Sequence, residues 1–116
     1  MAMASNIQVE TRIRRAGAAA ELHIAARPLT VAAAATQAEA LLTAVGDVLA
    51  EHGAMLLQER VFASAAGLAA ARAARARHWA AFEDGVEPAW LQTPANGGGE
   101  ISGMTVHAVA GCGRPE

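Results

Sequence analysis

A long amphipathic helix, a glycine stop and an alternating strand follow one another over residues 35–64 of this chain. The apolar side chains of the helix recur at helical spacing and form one stripe: Leu41, Leu42, Val45, Val48 and Leu49. Gly53 stands where a helix commonly ends in the left-handed conformation. A helix from about residue 31 or 32 to His52, followed at once by a strand, predicts a domain of mixed α and β structure.

Two alternating segments precede this block. Ile7, Val9, Thr11 and Ile13 alternate with polar residues, as in a half-buried strand. After a turn at Ala16-Gly17, a second segment alternates in the same way, and its apolar set is Ala20, Leu22, Ile24 and Ala26. The pattern predicts a β-hairpin that ends at Pro28.

A second helix and a closing strand follow the block. The helix is expected from Ala65 to about Phe82, with Leu68, Ala71, Trp79 and Phe82 on its inner side. Residues 86–99 contain two prolines and three consecutive glycines, so we expect irregular structure with at most a short strand near 90–93. The last strand is expected over residues 101–110. The order β-β-α-β-α-β predicts an α+β fold in one domain, residues 1–116.

The composition argues against several classes of protein. The net charge is −2 and all nine basic residues are arginine, which does not favour a nucleic-acid surface. The single cysteine, Cys112, cannot form an internal disulfide, and no signal peptide or apolar run of ~18 residues is present. The glycines at 97–99 lack the Lys-Ser/Thr of a phosphate loop. We therefore expect a cytoplasmic protein with no cofactor and no membrane partner.

Several short motifs, taken in order, resemble the RidA/YjgF family of small trimeric proteins. They are Pro28, Gln37-Ala38, Val61-Phe62, Pro88-Ala89 and the run Val-His-Ala-Val-Ala at 106–110. The resemblance covers residues 7–110. It implies a chorismate-mutase-like sheet with two helices on one face. It also implies a homotrimer with ligand clefts between subunits and hydrolysis of enamines or imines.

The chain departs from that family at three positions. Active members carry an arginine after Pro-Ala that holds the substrate carboxylate, and this chain has Trp90 there. The family's glutamate early in the last strand aligns near Thr105, and the usual tyrosine has no counterpart because the chain contains no tyrosine. These differences argue against ordinary 2-iminoacid deaminase activity.

A remodelled site is still conceivable from the residues that remain. We predict ligand contacts from Arg27, Trp90 and His107, with Arg27 meeting a small anionic metabolite. His107 and Glu100 are the catalytic candidates, and His23 is expected to face the same cleft as His107. The alternatives are a surface ion pair between Arg27 and Glu87, an interface or core role for Trp90, and structural roles for the histidines.

The remaining charged and titratable residues suggest no further site. The four histidines show no metal-ligand spacing, so the sequence predicts no metal site. Arg72, Arg75 and Arg77 are expected to form a solvated cationic face of the second helix.

The third strand is expected to carry apolar side chains on both of its faces. We predict Leu57, Val61 and Ala63 on one face, together with Glu59, and Leu56 and Phe62 on the other. An apolar patch on the uncovered sheet face would then favour a homotrimer around a central barrel. Two function classes stay open: a RidA-like protein that binds a metabolite, with or without deaminase activity, and a non-catalytic structural or interaction subunit, for example beside an active paralogue.

Overall fold

The computed structural model describes residues 7–30, 32–79, 88–94 and 100–111. Its elements are β1 (Ile7–Ala16), β2 (Ala19–Pro28), α1 (Ala34–His52), β3 (Met55–Ala63), α2 (Ala65–His78), β4 (Ala89–Gln92) and β5 (Ile101–Ala110). The predicted α+β order is confirmed, and the short strand is present as β4. Helix α2 ends at His78, earlier than predicted; Phe82 lies outside the described residues.

The five strands form one mixed sheet in the order β1-β2-β5-β3-β4. All neighbours are antiparallel except β3 and β4, which are parallel. Gly17 turns the β1–β2 hairpin with a φ of 63°, and Gly53 ends α1 with a φ of 60°. Both are left-handed conformations that glycine adopts without the steric cost of a side chain.

The core lies between the sheet and the two helices, which also pack on each other. The apolar stripe of α1 is buried as predicted, through Leu41, Leu42, Val45 and Leu49, and it meets Leu22 and Ile24 of β2. Trp79, directly after α2, is also buried. Because both helices contribute to this one core, they cover one face of the sheet, and no element of the described residues covers the other face. No helix in the described ranges is long and apolar enough to cross a bilayer.

Gln37 is one of the few buried polar residues of the core and ties three segments together. Its Nε2 atom donates to the Thr30 carbonyl oxygen at 3.0 Å. Its Oε1 atom accepts from the backbone N–H of Ile101 at 3.3 Å. The side chain thus joins the start of α1 to the loop after β2 and to the start of β5.

A buried ion pair links the sheet to α2. The Nε atom of Arg75 lies 2.9 Å from Oε1 of Glu59 on β3, and the two side chains are 11% and 0% exposed. The prediction that Arg75 lies on a solvated helix face is therefore wrong. Helical periodicity turns Arg75 toward the sheet, where Glu59 shares the core face with Val61.

An exposed ion pair joins the two helices. Glu39 of α1 accepts hydrogen bonds from Arg77 and His78 of α2, the latter at 2.6 Å. Both hydrogen bonds hold the pKa of the Glu39 carboxyl below its usual value. The one from Arg77 has the larger effect and the one from His78 the next largest. A lowered folded-state pKa stabilises the fold above the ordinary carboxyl pKa, and this contribution is lost as the pH falls through the folded value.

The predicted faces of β3 are partly wrong. Leu56 is buried in the core and lies opposite Ala108, whereas Leu57 is 50% exposed. The register between β3 and β5 shifts between Leu56 and Gln58, which leaves Leu57 as an extra residue. Such a bulge reverses the alternation of side chains across it. Leu56 is therefore absent from the uncovered face, while Val61 and Ala63 occupy the core face as predicted.

Candidate functional site

The uncovered face of the sheet, here called the open face, is built from side chains that alternate away from the core. In β2 the even-numbered residues from Ala20 to Ala26 are buried, so the odd-numbered ones point outward. Cross-strand pairing places them in four rows. Across β1, β2, β5 and β3 the rows are Arg14, Glu21, Val109, Met55; Arg12, His23, His107, Gln58; Glu10, Ala25, Thr105, Arg60; and Gln8, Arg27, Gly103, Phe62.

Polar and charged side chains dominate this open face. Four arginines stand against two glutamates, although the whole chain has a net charge of −2. The apolar members, which include Phe62 and Met55, lie toward the ends of the rows on β3 and its neighbours. The expected apolar patch loses Leu56, because the bulge moves that residue into the core, but Phe62 and Met55 remain on this face and the neighbouring Leu57 is 50% exposed. The open face therefore combines an excess of arginine with apolar side chains on β3.

Arg27 lines a concavity of about 420 Å³ at one end of the open face. Its Nε atom donates to Oε1 of Gln8 at 2.8 Å, and no other hydrogen bond links Arg27 to the described residues. Phe62, Ser102 and Thr105 complete much of the lining. The guanidinium therefore keeps its two terminal nitrogens for an anion, beside one aromatic wall and two hydroxyls.

Gly103 keeps the floor of this concavity low. A Cβ atom at position 103 would lie 2.8 Å from the Ala26 carbonyl oxygen and 3.4 Å from the Cβ atom of Arg27. The first distance is shorter than a van der Waals contact allows, so a side chain here would push β5 away from β2. The glycine permits this close approach of the strands below Arg27.

A second concavity, of about 460 Å³, lies over the middle of the open face. His23 and His107 face each other across β2 and β5, with ring centroids 4.3 Å apart and an angle of 14° between the rings. Arg12, Gln58 and Arg60 are also part of the lining. The prediction that both histidines face one cleft is confirmed. The two concavities adjoin, since Glu10, Ala25 and Thr105 line both.

The Nε2 atom of His107 is buried and has no hydrogen-bond partner among the residues the structure describes. Such atoms are uncommon in folded proteins and call for an explanation. Glu21 stands beside the histidine pair, with its Oε1 atom 3.7 Å from Nε2 of His23. Glu21, His23 and His107 together offer three potential metal-ligating atoms within 4.8 Å of one another.

Trp90 does not join Arg27 and His107 within one chain. It lies opposite the buried Val61 in the parallel β3–β4 pair, so its side chain is on the helix-covered side. There the Arg72 guanidinium lies 4.9 Å from the centre of the Trp90 ring, a cation–π contact. Within one subunit Trp90 therefore lies apart from Arg27 and His107, because β4 turns it toward α2, and the predicted pocket between subunits stays a prediction.

Glu100 occupies a structural position at the start of α2. Its carboxylate accepts a hydrogen bond from the Ser64 hydroxyl, which in turn accepts from the backbone N–H of Gly67 at 3.1 Å. The Glu100 carbonyl oxygen also accepts from the Ser64 N–H at 2.8 Å. A carboxylate is stabilised at the positive end of a helix, so Glu100 supports α2 rather than the open face. Glu87, Cys112 and the triglycine lie outside the described residues.

Sequence reasoning missed Arg12, Gln8 and Glu21 as neighbours of the predicted site. Gln8 and Arg12 could have been predicted from the sequence, because the turn at Gly17 fixes the hairpin register. That register places Gln8 opposite Arg27 and Arg12 opposite His23. The contact between His23 and His107 depends on the pairing of β2 with β5, which no local signal specifies. Spacing along the chain therefore could not indicate the Glu-His-His group.

Comparison with known proteins identifies no relative: no protein-family model, no curated protein and no solved structure matches this chain.

Proposed function

We propose that this chain is a RidA-like protein that binds a small anionic metabolite on the open face, with Arg27 as the anion contact. The observation that carries the proposal is the orientation of Arg27 by Gln8 at the edge of the 420 Å³ concavity. This volume is in the range of small-molecule sites, about 300–1,000 Å³. The excess of arginine on this face attracts anions to it.

The chemistry of the lining favours a short carboxylate. The two terminal nitrogens of Arg27 match the two oxygens of a carboxylate in a bidentate pair. Phe62 offers an apolar wall and Thr105 a hydroxyl at the same concavity, where the Ser102 hydroxyl already lies 3.3 Å from the Thr93 hydroxyl. A 2-oxo or 2-imino acid with a small apolar side chain combines these three features.

The order of elements and the single helix-covered face are compatible with the chorismate-mutase-like arrangement that the RidA resemblance implies. In that arrangement, a homotrimer turns the open faces inward and a neighbouring subunit completes each cleft. The half-open shape of the Arg27 concavity in a single chain is compatible with such completion. The trimer is part of this proposal.

Replacing Arg27 with alanine is expected to weaken binding of 2-oxobutanoate by about 1.5–3 kcal/mol, the range for a hydrogen bond to a charged group. Isothermal titration calorimetry measures the change. Arg14→Ala is the matched control, because Arg14 lies on the same face but three rows away from Arg27. Light scattering should give the same trimeric mass for both variants and for the parent.

Four results would contradict this proposal. Equal losses in the two variants would indicate a general charge effect instead of a site. Unchanged affinity in Arg27→Ala would remove Arg27 from the cleft. A monomeric parent at micromolar concentration would rule out the trimer. Absence of 2-oxo acid binding in the parent would favour the alternative, a non-catalytic structural or interaction subunit.

Enamine or imine deamination is the second candidate function, and the unpartnered Nε2 atom of His107 favours it. In this reaction water adds to the imine carbon and ammonia leaves, so that a 2-imino acid becomes a 2-oxo acid. A neutral imidazole could accept a proton from the attacking water. Glu100 cannot assist from its place at Ser64.

If deamination occurs, the protein should accelerate ammonia release from freshly generated 2-imino acids by at least about 100-fold over buffer, the lower range for general base catalysis. His107→Gln should abolish the acceleration while leaving 2-oxobutanoate binding intact. His52→Gln is the control, since His52 lies at the end of α1. Release at the buffer rate would leave metabolite binding without this chemistry.

A further inference from the structure

We infer that Glu21, His23 and His107 form a binding site for a divalent transition metal such as Zn²⁺. The three residues occupy adjacent positions on β2 and β5 of the open face, where His23 and His107 lie directly opposite each other. Their ligating atoms already lie within 4.8 Å of one another. This site goes beyond the proposed metabolite binding, which depends on Arg27, and it is an alternative to the base role of His107, because one Nε2 lone pair cannot hold a metal ion and accept a proton at the same time.

The buried Nε2 atom of His107 is an independent indication of a ligand. A lone polar atom without a hydrogen bond inside a protein costs free energy, and a metal ion would satisfy it. Two imidazoles and one carboxylate are also a donor set that suits zinc and its neighbours in the first transition series. The two stacked rings are nearly parallel, so their in-plane nitrogen lone pairs converge on one ion only after His23 turns out of the stack.

Binding of an ion requires His23 to rotate and the three donor atoms to approach one another. With bonds of 2.0–2.1 Å, the ligands of a tetrahedral zinc lie about 3.3 Å apart. The donors must therefore approach one another by roughly 1.5 Å. His23 and Glu21 can make this movement because their side chains are 53% and 47% exposed.

Three protein ligands leave a fourth coordination position for water or an anion. His23 and His107 line the 460 Å³ concavity, so the open position would face that space. On β1, Arg12 is paired with His23 and Arg14 with Glu21, and both guanidinium groups would repel a bound cation. Both are exposed, so solvent and salt screen much of that repulsion. We therefore expect micromolar rather than nanomolar affinity.

The test is titration of Zn²⁺ alone into the chelator-treated full chain by calorimetry, with Co²⁺ absorption as a second readout of ligand geometry. One ion should bind per chain. His23→Ala and His107→Gln should each weaken binding more than about 100-fold, since even outer-shell partners of metal ligands contribute about 10–100-fold. Glu21→Gln should weaken it in the same direction.

His52→Ala and Arg27→Ala are the controls and should bind Zn²⁺ as the parent does. Because His23 is exposed, His23→Ala should keep the parent's circular dichroism spectrum and melting temperature even if the His107 variant is unstable. The inference would be overturned if the parent showed no saturable Zn²⁺ binding at concentrations up to about 100 micromolar. Equal Zn²⁺ affinities of His23→Ala and His52→Ala would also overturn it. Either outcome would leave the Arg27 proposal intact.

Discussion

Replacing Arg75 with methionine is expected to lower the free energy of unfolding by about 3–5 kcal/mol, the cost of leaving a buried charge without its partner. Glu59 is only 1% exposed and lies 2.9 Å from the Arg75 Nε atom. Domains of this kind are stable by about 5–15 kcal/mol in total, so the variant would be close to unfolding. Urea denaturation followed by circular dichroism measures the change.

The double variant Glu59→Leu with Arg75→Met should recover most of that loss, because it removes both charges and keeps an apolar volume between β3 and α2. Arg77→Met is the matched control on the same helix. Its ion pair with Glu39 is exposed, so its removal should cost far less. If Arg75→Met were no more destabilising than Arg77→Met, the buried pair would not support the fold.

The fold was largely predictable because the strands and helices follow from the spacing of apolar residues within short segments of the sequence. Strand β2 alternates over its whole length, and a single covered face makes its even-numbered residues the buried ones. The stripe of α1 and the stop at Gly53 follow from equally local rules. The prediction failed at Leu56, because a bulge of one residue changes which face every earlier residue of the strand occupies.

The site was less predictable because it depends on which strands become neighbours. Arg27 and His107 were correctly placed on one face, since alternation alone decides this. The partner of Glu59 is Arg75, which lies on another element, and helix periodicity in an alanine-rich segment gives little contrast between its faces. The face that Trp90 occupies could not be predicted, because only the β3–β4 register shows that it shares a face with Val61.

Truncation of Trp79 to alanine is the second large effect that we expect, with a loss of about 3–5 kcal/mol in the free energy of unfolding. Trp79 is 1% exposed and fills the space where α2 ends against α1. Its Nε1 atom donates to the carbonyl oxygen of Leu42 at 2.9 Å, and the Arg75 guanidinium lies 5.8 Å from its ring. Truncation therefore opens a cavity and removes one of the hydrogen bonds between α1 and the end of α2.

Trp79→Phe separates these two contributions. It keeps an aromatic ring in the core but removes the N–H donor, and a net loss of about 1 kcal/mol is expected for the hydrogen bond itself, with some additional cost for the smaller ring. Trp90→Ala is the control, since Trp90 packs on the core from a four-residue strand and is only partly buried. Circular dichroism during chemical denaturation should order the losses as Trp79→Ala, then Trp90→Ala and Trp79→Phe. Equal losses for the two alanine variants would mean that Trp79 is not the anchor between the helices.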